Sequence, residues 1–170
     1  SGPDAGFAEL FQNRWVILTP QARDDAPYAE ALARLTAFWT ALGSNVETMD
    51  DRHHDLVLAV TSHLPHLIAY NIVGTVADLE ADTQSEVIKF SASGFRDFTR
   101  IAASSPEMWR DIALANREAL LEELDRYAAR VAVFRELVAN GDGPGLQRLM
   151  TEARNARRAW SGAKRSTSDE

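Results

Sequence analysis

The chain has no cysteine. That excludes a disulfide framework and thiolate chemistry, and it leaves the redox compartment open. Positive charge is scarce: 18 Lys and Arg stand against 25 Asp and Glu, for a net charge of −7 and a pI near 5.1. Such a balance argues against a general nucleic-acid or membrane-surface binder. No glycine-rich phosphate loop, internal repeat or low-complexity tract is present. The start, SGPDAGFAELF, lacks a basic stretch followed by an apolar core, so no signal peptide is expected. Residues 56–77 lack any Asp, Glu, Lys or Arg, a run long enough to cross a bilayer. His63, His66, Ser62, Asn71, two threonines and a mid-run proline argue instead for a central helix buried on all sides in a cytoplasmic protein.

What is present falls into two unlike parts. RWVIL, residues 14–18, is a β-branched and aromatic run closed by Thr19-Pro20, the mark of a buried strand. A helix is predicted over residues 27–42, with Asp25 as N-cap, proline in its first turn and Gly43 just past its end. NVETM, residues 45–49, supplies a second short strand. Strand, helix, strand is a βαβ unit, and two strands are too few for the parallel sheet to which such units belong. Residues 1–49 are therefore expected to be the last piece of a doubly wound domain that continues upstream of Ser1.

From residue 50 to 163 the pattern is helical throughout. Asp50 or Asp51 can cap the first helix, which meets Pro65, where either a kink or a restart capped by Ser62 is expected. Another helix is predicted from Thr83 to about Phe90. Ser104 with Glu107, or Ser105 with Pro106, then opens the longest helix. Trp109, Ile112, Asn116, Leu120, Leu124, Tyr127, Val131, Phe134 and Val138 recur every three or four residues before NGDGPG ends it. At about 1.5 Å per residue such a helix is roughly 50 Å long, and its stripe calls for a second copy of the chain. The last helix carries Arg148, Arg154, Arg157 and Arg158 on an expected solvated face, and residues 164–170 are expected to form a disordered tail.

Two constellations could carry chemistry. His63 and His66 lie three apart and share a helix face. As an isolated pair they read first as hydrogen-bonded core histidines. A metal site is disfavoured, since no Asp or Glu stands at a telling helical spacing to complete a ligand set; a carboxylate site near a helix start is the third reading. Arg96 and Arg100 lie four apart with Asp97 between them and Phe95, Phe98 and Ile101 around them. Most such pairs are solvated, but in a semi-apolar setting an arginine pair can grip a carboxylate through two parallel hydrogen bonds.

HDLVLAVTSHLPH (residues 54–66), SGFRDFTRIA (93–102), SPEMWRDI (105–112) and FQNRWVILTP (11–20) together resemble the prephenate dehydrogenase family, including its cyclohexadienyl (arogenate) variants. The resemblance runs from Gly2 to about Ile112 and more loosely beyond. "SAS" before Gly94, where relatives often have glycines, and Ser105 for a frequent aspartate are small departures.

The resemblance implies a mainly α protein: a helical dimerisation domain preceded by a βαβ remnant of a Rossmann-like nucleotide-binding domain. It implies oxidative decarboxylation of prephenate or arogenate in tyrosine biosynthesis, with NAD or NADP in the intact enzyme, none bound to this part, and a homodimer. Hydride leaves the ring carbon bearing the hydroxyl, carbon dioxide leaves the opposite carbon, and the ring becomes aromatic. The base is a histidine in a His-Pro-x-Ala-Gly motif expected just upstream of Ser1, so no catalytic residue is expected here. Arg100 resembles the arginine that holds the ring carboxylate; His63 and His66 line the substrate pocket, Arg96 stands at its mouth and Trp109 nearby, with Asp97, Ser62 and Ser104 supporting them. The competing reading is a non-catalytic helical dimerisation or regulatory module in which both motifs are packing and Arg96 and Arg100 pair with acids.

Overall fold

The computed structural model describes residues 6–166, with side chains through residue 160. Two short strands, β1 (Trp15–Leu18) and β2 (Asn45–Thr48), flank helix α1 (Ala26–Ala41). The strands pair in parallel, Val16 opposite Val46 and Ile17 opposite Glu47. This is the expected βαβ unit. Asp25 starts α1: its backbone is extended and its carboxylate accepts from the Tyr28 amide at 2.9 Å. At the other end Ser44 N–H bonds the Trp39 carbonyl at 3.1 Å and Gly43 N–H bonds that of Thr40 at 2.9 Å. That paired closure needs a left-handed residue at position 43, where φ is +86°. A Cβ there would also come within 3.0 Å of Gln12 Cγ, so the space adds to the conformational preference for glycine. The unit is thinly covered: α1 has no buried residue, and Trp15 is 69% exposed.

Helices α2 (Asp51–Leu58) and α3 (Leu64–Ala77) follow, joined by one π-helical turn, Ala59–His63. Asp50 is the cap, accepting from His53 N–H at 3.2 Å. Pro65 was expected to kink or restart the helix, and it does neither. The helix widens just before the proline, so the ring that would press on the Thr61 carbonyl enters in the first turn of α3. Ser62 is not a cap, because it lies inside the π turn itself and the residue before α3 is His63.

The expectation that this helix is buried on all sides is corrected. Of α2, the π turn and α3, only Ala59, His63 and Ala69 are buried, while Leu56, Val60 and Val73 are exposed. By length and composition the stretch Asp51–Ala77 could cross a membrane. Among the described residues the chain covers the middle of this stretch, 62–70, better than its two ends.

α4 (Ala81–Phe90), α5 (Ser93–Thr99) and a 3-10 turn (Arg100–Ala103) come next, and α5 and the 3-10 turn pack on α3. α6 (Pro106–Ala115) begins as one of the two proposed starts required: Ser105 Oγ accepts from Met108 N–H at 3.3 Å, with Pro106 in the first turn. Ser105 Oγ also donates to Glu107 at 3.0 Å. The Glu107 carboxyl is held below its usual range by its own backbone N–H and then by that hydroxyl. Ser104 and Glu107 form no capping box.

The single long helix expected from residue 105 to 138 is two helices, α6 and α7 (Arg117–Ala139). Asn116 breaks it, with φ −103° and ψ 37°. The apolar spacing continues across the break, which is why periodicity did not reveal it. The chain divides into two compact units with the boundary after Leu120. In the second unit, α7 closes at Gly141, φ +62°, with Asp142 N–H on the Leu137 carbonyl at 2.9 Å. Asp142 then accepts from Gly145 N–H at 2.9 Å at the start of α8 (Gly143–Ser166). Residues 164–166, expected in a disordered tail, continue the helix, and residues 167–170 lie outside the described residues.

Candidate functional site

The π turn carries His63 to a buried position, and His66 follows three residues on in the first turn of α3. Trp109, from the first turn of α6, packs against both rings. It stacks on His66 with centroids 3.6 Å apart and planes 20° apart, and meets His63 edge-on at 6.1 Å and 75°. His63, His66 and Trp109 therefore form one cluster, as the sequence suggested. The Trp109 indole N–H is buried without a hydrogen-bond partner, a donor left over at the cluster.

Hydrogen bonds fix the two imidazoles differently. His66 Nδ1 lies 2.8 Å from the Ser62 carbonyl, which can only accept, so His66 carries a proton on Nδ1. Ser62 thus contributes through its backbone. His63 Nδ1 lies 3.0 Å from Asn116 Nδ2, which can only donate, so this nitrogen is bare. Burial pushes the His63 pKa below the ordinary value; Asp55 opposes that shift, and His54 and then His66 add to it. Asn116 was read from the sequence as a member of the apolar stripe. A polar amide at a stripe position, itself a poor helix former between two good ones, was the available signal.

Arg100 begins the 3-10 turn on α3; Arg96 and Asp97 precede it on α5, and all three are exposed. Among the described residues neither arginine forms an ion pair, with Asp97 or with any other acid. Ser104 anchors the turn: its hydroxyl donates to the Ile101 carbonyl at 2.8 Å and its carbonyl accepts from Tyr70 Oη at 2.7 Å. Tyr70, which ties α3 to the segment carrying Arg100, was missed in the sequence. Among the described residues, no three of His, Asp or Glu gather as a possible metal site.

A nicotinamide dinucleotide would need a cradle for its pyrophosphate, and the residues here do not fit one. The β1–α1 connection, TPQARDDA, has no glycine, and the start of α1 is already capped by the Asp25 carboxylate, a negative charge where a phosphate would dock.

The dimerization-domain model of prephenate dehydrogenase matches residues 50–152. Over 94% of its length the chain is 45% identical to a cyclohexadienyl dehydrogenase of Zymomonas mobilis, and over 92% it is 36% identical to a prephenate dehydrogenase of Bacillus subtilis. It spans 53% and 41% of those two proteins. The Aquifex aeolicus prephenate dehydrogenase, solved with hydroxyphenyl propionate and NAD+, superposes with a TM-score of 0.78 at 32% identity, covering 91% of this chain and 52% of that one. A Synechocystis arogenate dehydrogenase superposes with a TM-score of 0.77 at 29% identity, covering 89% of this chain and 54% of that one. With the matched residues taking in the whole histidine–tryptophan–arginine region, the chain belongs to the prephenate dehydrogenase family and carries its dimerization domain.

Proposed function

We propose that this chain is the substrate-side and dimerisation half of a cytoplasmic enzyme of tyrosine biosynthesis, which oxidatively decarboxylates prephenate or arogenate with NAD or NADP. The observation that carries this reading is the His63–His66–Trp109 cluster, with a turn packed on α3 whose Arg100 has no counter-ion among the described residues. Arg100 grips the ring carboxylate, the histidines and Trp109 line the pocket, and Arg96 guards its mouth with Asp97, Ser62 and Ser104 in support. A nicotinamide held by another part of the enzyme would supply the acceptor for the hydride that leaves the substrate, and this chain's residues bind and orient that substrate. The packing-module alternative needs Arg96 and Arg100 paired with acids, and the absence of such pairs among the described residues favours the enzyme. Steady-state assay of the intact enzyme with prephenate and with arogenate tests this, and turnover of neither would overturn it.

The bare faces support a two-fold dimer through the helical region. Leu56, Val60 and Val73 on α2, the π turn and α3, and Tyr127, Val131 and Val138 on α7, are exposed although apolar. A second copy is the occupant proposed for these faces, and obligate homodimer interfaces commonly bury about 2,000 Å² or more. Sedimentation equilibrium at micromolar concentration should give twice the monomer mass; a monomer would contradict the assignment.

A further inference from the structure

We propose that Asn116 is a positioning residue: it holds His63 in the tautomer whose proton is on Nε2, so that His63 faces its ligand as a hydrogen-bond donor. The inference starts from the amide itself. Asn116 Nδ2 lies 2.8 Å from the Asp55 carbonyl and 3.0 Å from His63 Nδ1. An amide nitrogen carries two protons, and these two contacts use both. A flipped amide would set its oxygen against the Asp55 carbonyl oxygen, lone pair against lone pair. The backbone of α2, 61 residues away in sequence, therefore fixes the amide, and the amide fixes the imidazole.

Asn116 is 8% exposed and His63 9%, so water does not readily replace either contact. The same residue ends α6, so the break in the helix and the hydrogen bond to the histidine fall at one position.

The consequence is a pair of rings with opposite character. His63 has a bare Nδ1 and a proton on Nε2; His66, held by the Ser62 carbonyl, has a proton on Nδ1 and when neutral a bare Nε2. No protein group among the described residues bonds either Nε2. The cluster therefore offers one donor and one acceptor from adjacent turns. The titratable groups acting on His63 are Asp55 and His54 from α2 and His66 from α3; α6 brings to it only Asn116 and Trp109, which do not titrate.

The first test needs no variant. In the intact enzyme labelled with 15N-histidine, the ring nitrogen shifts of His63 should report a proton on Nε2 and none on Nδ1. A proton on Nδ1 would overturn the proposal. The second test is Asn116→Asp, close in shape, at a backbone conformation open to either residue. A carboxylate accepts where the amide donated, so the neutral His63 proton should move to Nδ1 and the His63 midpoint should rise by about one pH unit or more.

The kinetic part rests on the proposed function. Above the raised midpoint the variant has lost the Nε2 donor, and KM should rise about tenfold, the equivalent of one hydrogen bond. Below it the imidazolium regains a proton on both nitrogens and KM should return toward wild type. An unaltered tautomer in Asn116→Asp, or a KM defect independent of pH, would reduce Asn116 to packing. If the enzyme turned over neither substrate, the functional reading would fail while the nitrogen shifts still decided the tautomer.

Discussion

In the intact enzyme, Arg100→Ala should raise the KM for substrate roughly 30-fold or more and leave dinucleotide affinity nearly unchanged. Among the described residues no carboxylate pairs with Arg100, so its fork of donors is available to a ligand. Removing one partner of a buried charged contact typically costs about 2–5 kcal/mol, because the other partner is left desolvated. Arg100→Lys should recover only part of the loss, since an ammonium cannot make the planar two-bond contact. The fold should survive both changes: the side chain is exposed, and the turn is held independently by Ser104 and Tyr70. If Arg100 serves packing instead, the pattern reverses, with a lower Tm and an unchanged KM. Steady-state kinetics beside thermal melts separates the two, and an unchanged KM in Arg100→Ala ends the assignment.

The parts of this fold that could be read in the sequence are those set by short-range chemistry. A β-branched run, an aspartate cap at position 25 and a glycine at 43 each act within a few residues: the cap and the glycine do what their chemistry requires, and the run forms its strand, though no residue of it is buried as expected. The π turn was harder. Pro65 announces a conflict with the Thr61 carbonyl, but whether the chain kinks, restarts or widens depends on what holds the next residues, here burial of His63 and the bond from His66 to Ser62. The break at Asn116 was invisible for a related reason. Apolar spacing counts which face a residue occupies and is blind to a side chain that bonds a carbonyl in another helix. Burial of α3 was misjudged because hydrophobicity says that a face needs covering and does not say whether the cover lies in the same chain.

The site divides the same way. His63, His66, Arg96, Arg100 and Trp109 stood out by residue type and spacing, and three of them meet in space. The protonation pattern that gives the histidines distinct roles comes from a backbone carbonyl and an amide brought together by tertiary packing, and no local motif encodes it.

The purified 170-residue chain should show no dehydrogenase turnover and no measurable binding of NAD+ or NADP+, whereas the intact enzyme shows both. The reasoning is electrostatic before it is chemical. Binding a dinucleotide requires backbone N–H groups and a helix N-terminus directed at the pyrophosphate, usually after a glycine-rich turn. The one βαβ unit here caps its helix with Asp25 beside Asp24, and its connecting loop contains no glycine, so the local field repels a phosphate. The chemistry fails for a second reason. The Nδ1 atoms of the two clustered histidines are already engaged: His63 accepts there from Asn116, and His66 donates there to Ser62. No His-Pro-x-Ala-Gly motif stands among these 170 residues, and losing a general base costs roughly 10²–10⁴ in rate. Calorimetric titration with each dinucleotide and an assay with prephenate and arogenate, on the chain and on the intact enzyme in parallel, give the comparison. Turnover by the chain alone would mean that base and cofactor site both lie within these 170 residues, and the division of labour argued from the sheet, the caps and the histidines would be wrong.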